Sequence, residues 1–274
     1  MATLAPRAVF VTRETDYELL LARHATVEQA RFFLRTRGQD IADLEARHQA
    51  FARVLGKART SVPNEWRQAL VRRTDLDRFL FTVEDVVIAV GQDGLIPNVA
   101  KCLTGQPVIG LNPAPDLYDG VLVRHRVDQL SRLLPRAFNG DAIIERRTMA
   151  EAALDTGERL CALNELFVGH RSHQSARYRI DDGEAEEEQS SSGLIVATGT
   201  GATGWARSIM DATNNPIELQ PDERALAWLV REPFPSVATG TSMRAGKLTG
   251  DSLAITSHMN EGGVIFADGI EQDF

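Results

Sequence analysis

Cysteine is scarce. Cys102 and Cys161 are the only two in 274 residues. Two thiols cannot build a disulfide framework or a cysteine-rich zinc site, so the expected setting is a reducing, cytoplasmic one. No apolar run approaches the roughly 18 residues of a membrane helix, and no charged start with an apolar stretch marks a signal peptide. A basic excess is also missing: 30 Lys and Arg stand against 38 Asp and Glu, a net charge of −8. Nucleic-acid phosphates need a basic footprint, so the expected partners include no nucleic acid and no membrane. Any anionic ligand must be held by local donors. What is present suffices for a core, since 43% of residues are hydrophobic and 25% charged, the composition of a globular chain.

Two textures meet near residues 136–142. They predict an α/β domain with a parallel sheet over 1–137 and a β-rich domain over 138–274. In the first, Arg7 to Arg13 reads as a strand. Thr26 to Gln29 fits a capping box and opens helical sequence to about Lys57, with a break at Gly38. Ile41, Leu44, His48, Phe51 and Leu55 recur at three and four, one helix face. The region 27–58 serves as scaffold or as the contact of a homodimer. Pro63 to Arg73 reads as a helix opened by a first-turn proline. Asp85 to Val90 is a compact apolar run, as in a buried parallel strand. A glycine turn, a helical pattern (Leu95, Ile96, Val99, Leu103) and a second run (Gln106 to Leu111) complete a parallel crossover unit. In the second half, strands are expected at Ile143–Ala150, Leu160–Val168, Ser175–Ile180, Leu194–Thr198, Ser252–Thr256 and Val264–Ala267, with a turn at Asp182-Gly183.

Three segments are candidates for chemistry. Gly91-Gln92-Asp93-Gly94 follows a buried strand, where open α/β sheets place ligands. Its glycines let backbone approach a phosphate, and a helix start follows. The same letters also make a plain turn. Thr198 to Trp205 (TGTGATGW) places Gly199, Gly201 and Gly204 in the G-x-G-x-x-G pattern. A Rossmann unit needs a following parallel strand. Asn214-Asn215-Pro216 breaks the chain, and no apolar strand is expected after it, which argues against a hydride-transferring dehydrogenase. Asn164-Glu165 is a polar pair inside an apolar strand. Burying a free carboxylate is costly, and an amide beside a carboxylate suits ribose hydroxyls. The remaining polar clusters promise less. His170 and His173 lack a third ligand, so no metal site is expected. Glu184 to Glu188 reads as a solvated hairpin tip. Arg244 and Lys247 serve as phosphate contacts or as surface charge.

Taken together and in this order, VVIAVGQDG (86–94), QPVIGLNPAPDLYDGVL (106–122), LNELFVG (163–169), SSGLIVATGTGATGW (191–205) and GGVIFADGIEQDF (262–274) resemble the NAD kinase family. The look is nearest to the mitochondrial-type members and their bacterial relatives. The resemblance runs from about residue 84 to the end, and residues 14–80 carry little of it. It implies an α/β domain followed by a β-rich one. It also implies transfer of the γ-phosphoryl of ATP to the 2′-hydroxyl of the adenosine ribose of NAD, with Mg²⁺ or a similar divalent cation. Carried over, Asp93 is the catalytic carboxylate. Gly91 and Gly94 make room for phosphates, and Asn112 joins the nucleotide contacts. Asn164 and Glu165 hold the NAD adenosine. Thr198, Thr200, Gly201, Thr203 and Trp205 line the nucleotide cleft. The chain departs from the family pattern at Gln92 and at Gly199, where a glycine and a proline are usual, and at Ser192, where many relatives have Asp. A nucleotide sensor without catalysis and a kinase of another small hydroxyl compound are the alternatives.

Overall fold

The computed structural model describes residues 5–117, 119–250 and 252–269. Tyr118 and residues 270–274, which belong to two of the segments above, lie outside the described residues. The chain divides into two compact units, 1–144 and 145–274.

The first unit contains β1 (Arg7–Thr12), α1 (Asp16–Arg23), α2 (Val27–Arg35), α3 (Ile41–Thr60), β2 (Arg67–Arg72), β3 (Asp85–Val90), α4 (Leu95–Ala100), β4 (Val108–Leu111) and α5 (Leu130–Asn139). Its four strands form a parallel sheet in the order β2-β1-β3-β4. All six residues of β3 are buried, which is why the run is apolar without alternation. Phe10, Ile88, Leu111, Leu130 and Leu134 make the core against Phe51 and Leu55 of α3. Ile41 and Leu44 of the same helix pack instead with Leu20, Ala30 and Leu34. Local sequence sets the helix ends. Thr15 and Glu18 form a reciprocal capping box on α1, and Thr26 accepts the Gln29 N–H at the start of α2. Gly38 takes φ +70° just after α2, and Asp40 caps α3.

One expectation fails here. Residues 67–72 are strand β2, not part of a helix over Pro63–Arg73. The reason is non-local: β1 offers a free hydrogen-bonding edge, and β2 pairs with it residue for residue from Arg7↔Arg67 to Thr12↔Arg72. A ladder partner overrides a weak local preference. At the other edge of β1, the Arg7 guanidinium makes two 2.7 Å hydrogen bonds to Asp85 at the start of β3.

The second unit contains β5 (Ala150–Ala153), β6 (Arg159–Ala162), β7 (Glu165–His170), β8 (Ala176–Asp181), β9 (Glu186–Ser191), β10 (Leu194–Ala197), α6 (Trp205–Thr213), β11 (Leu226–Val230), β12 (Ala245–Leu248), β13 (Ala254–Ser257) and β14 (Gly263–Ala267). A five-stranded antiparallel sheet has the order β12-β11-β10-β7-β14, beside a three-stranded sheet β13-β8-β9 and a hairpin β5-β6. Leu166, Val168, Leu194, Val196 and Trp228 on one face of the large sheet share a core with Tyr178 and Ile180 of β8. Ile195, Ala197 and Leu229 on its other face pack on Ala206 and Met210 of α6.

Four expectations change in this unit. Ile143–Thr148 has no ladder partner, and Ile143 is fully open to solvent, so strand structure begins only at Ala150. Leu160–Val168 is two strands, β6 and β7, separated by a bend at Leu163-Asn164. Glu184 is exposed in the β8–β9 turn as a hairpin tip requires, but Glu186 to Glu188 lie within β9, and the Glu187 carboxylate accepts the Ser242 and Met243 N–H groups. An apolar strand, β11, does follow the threonine loop. It runs antiparallel to β10, so no parallel dinucleotide-binding unit results.

Candidate functional site

In the first unit, β3 delivers the chain to Gly91 at the carboxyl end of the sheet. β2 lies on one side of β1 and β3 on the other, so the ends of β1 and β3 flank a topological switch point, the usual ligand position in such sheets. Arg13, just past β1, donates to the Gln92 side-chain oxygen at 3.0 Å across that point. A cavity of about 90 Å³ opens beside them, with Thr15, His48, Phe51 and Gly91 in its wall.

Asp93 is the most engaged group of the turn. Its Oδ1 accepts the N–H groups of Leu122 (2.8 Å) and Val123 (2.9 Å), and its Oδ2 accepts that of Val121 (2.8 Å). A carboxylate oxygen has two acceptor directions. Oδ1 is thus filled by these amides, and Oδ2 keeps one direction for another donor. The 121–123 segment reaches Asp93 because Gly110 and Gly120 lack side chains: a Cβ at Gly110 would lie 2.5 Å from the Leu122 carbonyl oxygen, and one at Gly120 2.3 Å from that of Val123. Asn112 is buried and accepts the Ala114 N–H at 2.9 Å. A Cβ at Gly91 would be 3.3 Å from the Leu95 side chain, whereas one at Gly94 would meet open space. Gly94 has an ordinary helical φ of −62°, so no contact within the protein calls for glycine there.

In the second unit, the Leu163-Asn164 bend and the threonine loop are welded together. Thr198 donates its N–H to the Asn164 carbonyl at 2.9 Å and its hydroxyl to the Leu163 carbonyl at 2.6 Å. The same hydroxyl accepts the N–H groups of Thr200 and Gly201. One donor and two lone pairs are a hydroxyl's whole capacity, so Thr198 holds the loop itself. Gly201 is glycine because a Cβ would lie 2.1 Å from the Asn164 carbonyl oxygen, and Gly199 because one would lie 2.0 Å from that of Gln220. Thr203 donates to the Thr200 carbonyl at 2.9 Å. Arg147, its side chain mostly buried, donates to the Thr200 hydroxyl at 3.0 Å and pairs with Glu145.

From the far side, the Asp268 carboxylate accepts the N–H groups of Leu163 (3.1 Å) and Asn164 (2.7 Å). Burial, helped by the Asp268 charge, pushes the Glu165 carboxyl up to about 7. Both Asn164 and Glu165 are half-buried. Among the described residues, neither side chain has a hydrogen-bond partner in the protein. Trp205 is 41% exposed. Its ring stacks with Phe167 at 6.0 Å between centroids, and the Arg231 guanidinium lies 5.1 Å over it.

The structure therefore gathers Asn164, Glu165, Thr198, Thr200 and Gly201 into one bend and loop, followed by Thr203 and Trp205. Gly91, Asp93, Gly94 and Asn112 lie in the first unit. Asp268, Arg147 and Arg13 were not anticipated as neighbours of these groups. Asp268 could have been found in the ADG segment, but no local signal marked the two arginines. Lys247 is paired with Glu223 at 2.6 Å, and Arg244 donates to the Thr241 carbonyl at 2.7 Å. His170 takes the Ser172 N–H on Nδ1. Among the described residues, no group of three or more His, Cys, Asp or Glu could hold a metal ion.

No protein-family model matches the chain. Human mitochondrial NAD kinase 2 is 26% identical over 265 aligned positions, covering 77% of this chain and 60% of that protein. An NAD kinase from Archaeoglobus fulgidus, solved in complex with ATP, superposes with a TM-score of 0.55 at 18% identity, over 96% of this chain and 84% of its own. Yeast NADH kinase, solved with NADH, also gives 0.55, at 16% identity, over 98% of this chain and 76% of its own. The chain resembles the NAD kinase family. Its architecture, a parallel α/β unit followed by an antiparallel β-rich one, is the NAD kinase fold. It spans about 60% of the length of the human relative. No described helix is long and apolar enough to cross a membrane.

Proposed function

We propose that the chain is an NAD kinase, moving the γ-phosphoryl of ATP to the 2′-hydroxyl of the adenosine ribose of NAD. One observation carries the reading. The Asn164-Glu165 bend has its backbone locked by Asp268 and Thr198, while its two half-buried polar side chains have no protein partner among the described residues. Their polar atoms still reach solvent, so a ligand can take them up without first breaking a protein hydrogen bond. An amide and a carboxyl side by side can donate to and accept from two ribose hydroxyls. This is also the segment that the resemblance assigns to NAD.

In the reaction, the ribose 2′-oxygen bonds to the γ-phosphorus as the bond from that phosphorus to the ADP oxygen breaks, and the hydroxyl proton is released. Such transfers ask the protein mainly for positioning and charge neutralisation. Asp93 is assigned to the acceptor hydroxyl through the free direction on Oδ2. Gly94 leaves space for phosphate approach, and Trp205, 41% exposed, is assigned to the nucleotide by the resemblance. Mg²⁺ or a similar cation would neutralise the triphosphate. The test is a coupled assay for NADP with NAD, ATP and Mg²⁺. NADP formation supports the reading, and NAD left unphosphorylated opposes it. A homodimer in cytoplasm belongs to the same reading, and light scattering checks the mass.

A second reading, an NAD(H) or nucleotide sensor of the same fold, is favoured by one feature. Asp93 already accepts three backbone N–H groups. Calorimetric NAD binding without turnover would select it. Phosphate on a non-nucleotide acceptor, read by mass, would select a kinase of another small hydroxyl compound.

A further inference from the structure

We propose that Asp268 is a positioning residue for the dinucleotide, fixing the Asn164-Glu165 pair in the geometry that the acceptor ribose needs. This rests on the reading above, in which that pair holds NAD.

Asp268 has φ +53°, the left-handed region that a non-glycine residue occupies at a cost. Three hydrogen bonds offset that cost. Oδ2 and Oδ1 accept the N–H groups of Leu163 and Asn164, and the Asp268 N–H donates to the Glu165 carbonyl at 3.1 Å. One residue thus grips three consecutive residues of the bend. Thr198 takes the carbonyls of Leu163 and Asn164 from the other side. With both the N–H and C=O groups of Leu163 and Asn164 engaged, the bend cannot rotate a peptide plane without breaking a bond, and only side chains are left for a ligand.

The charge of Asp268 acts on the same pair. β10 sets Ala197 opposite Glu165, and the 198–201 loop brings only Thr and Gly. Asp268, at the end of β14, is the charged neighbour that bears on Glu165, and burial acts in the same direction. The side chain therefore fixes the backbone that carries the groups offered to the ribose, and its charge adds to the burial that raises the Glu165 carboxyl.

The test uses the full chain, wild type and Asp268→Asn. Asparagine keeps the volume and one acceptor oxygen, and a melting curve checks folding. The Kd and KM for NAD should rise roughly tenfold or more, while the KM for ATP changes by less than about twofold. The carboxyl ¹³C titration midpoint of Glu165 should fall. If Asp268→Asn does not fold, Asp268→Glu carries the affinity test: it displaces the fork and keeps the charge, so the Kd for NAD should rise roughly tenfold or more while the Glu165 midpoint stays in place, and an unchanged Kd overturns the proposal. A folded variant with unchanged NAD affinity and an unmoved Glu165 titration overturns the proposal. Wild-type protein that binds NAD but forms no NADP would sink the kinase reading alone, and the Kd and the titration would still decide on Asp268. Wild-type protein that binds no NAD would overturn both.

Discussion

Asp268 and Glu165 bring two carboxyl groups together at one end of β7, where the Asp268 N–H donates to the Glu165 carbonyl at 3.1 Å. Burial first, and the Asp268 charge second, raise the Glu165 carboxyl from its ordinary 4.5 to about 7. The folded chain therefore keeps a proton that the unfolded chain releases. That stabilisation is full below pH 4.5 and is lost as the pH rises through about 7. Each tenfold change in proton affinity is worth about 1.4 kcal/mol, and partial solvent access reduces the total. Relative to Glu165→Gln, the wild type should lose up to about 3 kcal/mol across that window. Urea unfolding at several pH values measures the difference, and a flat difference contradicts the assigned burial.

Asp93→Asn should lower turnover by about 10²–10⁴-fold if the carboxylate serves the acceptor hydroxyl. It should also destabilise the first unit by about 1–3 kcal/mol. Asparagine would turn an NH₂ toward one of the Val121, Leu122 and Val123 N–H groups that the carboxylate now accepts. Turnover and unfolding read together separate the two roles. Undiminished turnover would remove Asp93 from the chemistry.

Two glycines of one loop should differ in how much their replacement costs. A Cβ at Gly201 would sit 2.1 Å from the Asn164 carbonyl oxygen, whereas one at Gly204 would be 3.7 Å from its nearest neighbour. Gly201→Ala should break the weld between loop and bend, costing about 2 kcal/mol or more of stability together with NAD affinity. Gly204→Ala meets no such clash and should cost less, about 1 kcal/mol, from losing glycine at the N-cap of α6. Thermal unfolding of the two variants checks this, and equal tolerance would show that the loop is not packed on Asn164.

These contrasts mark what the sequence could and could not disclose. β3 and β10 were legible because each is buried throughout, so the letters DVVIAV and LIVA carry the signal themselves. β2 was not, since RQALVR becomes a strand only when β1 pairs with it. The break between β6 and β7 was hidden for the same reason. It depends on Asp268, 104 residues beyond Asn164. The candidate site was legible as a set of segments through the resemblance. The division of labour inside it was not. Thr198 and Gly201 read as ligand contacts, yet their bonds and close approaches are to the protein backbone. Arg147, buried against Thr200, lies in a stretch that reads as an ordinary strand.

Asp85 supplies a test of the first unit alone. Burial by itself would push its carboxyl up, but hydrogen bonds from Arg7 and Thr82 and the Arg7 charge hold it below the usual range. Its side chain is fully buried and that of Arg7 is 18% exposed. Removing one partner of such a pair leaves an uncompensated charge, so Asp85→Ala should cost about 3–5 kcal/mol. The depressed value also means that the pair's stabilisation holds above the ordinary carboxylate range and fades as the pH falls through the folded-state value. Denaturant unfolding of the variant at neutral pH measures the loss. A change below about 1 kcal/mol would mean that the pair is no better than a surface ion pair.

The central claim is that the Asn164 and Glu165 side chains, unpartnered among the described residues, receive the ribose of NAD for phosphorylation. Its most direct measurement is mass analysis of the product from NAD, ATP and Mg²⁺, for the wild type and for Asn164→Ala, whose melting curve should match the wild type because the amide has no described protein partner. The account predicts NADP carrying the new phosphate at the ribose 2′ position, and a rise of roughly tenfold or more in the KM for NAD in the variant. NAD recovered unchanged from the wild type, or a variant with an unaltered KM, would contradict it.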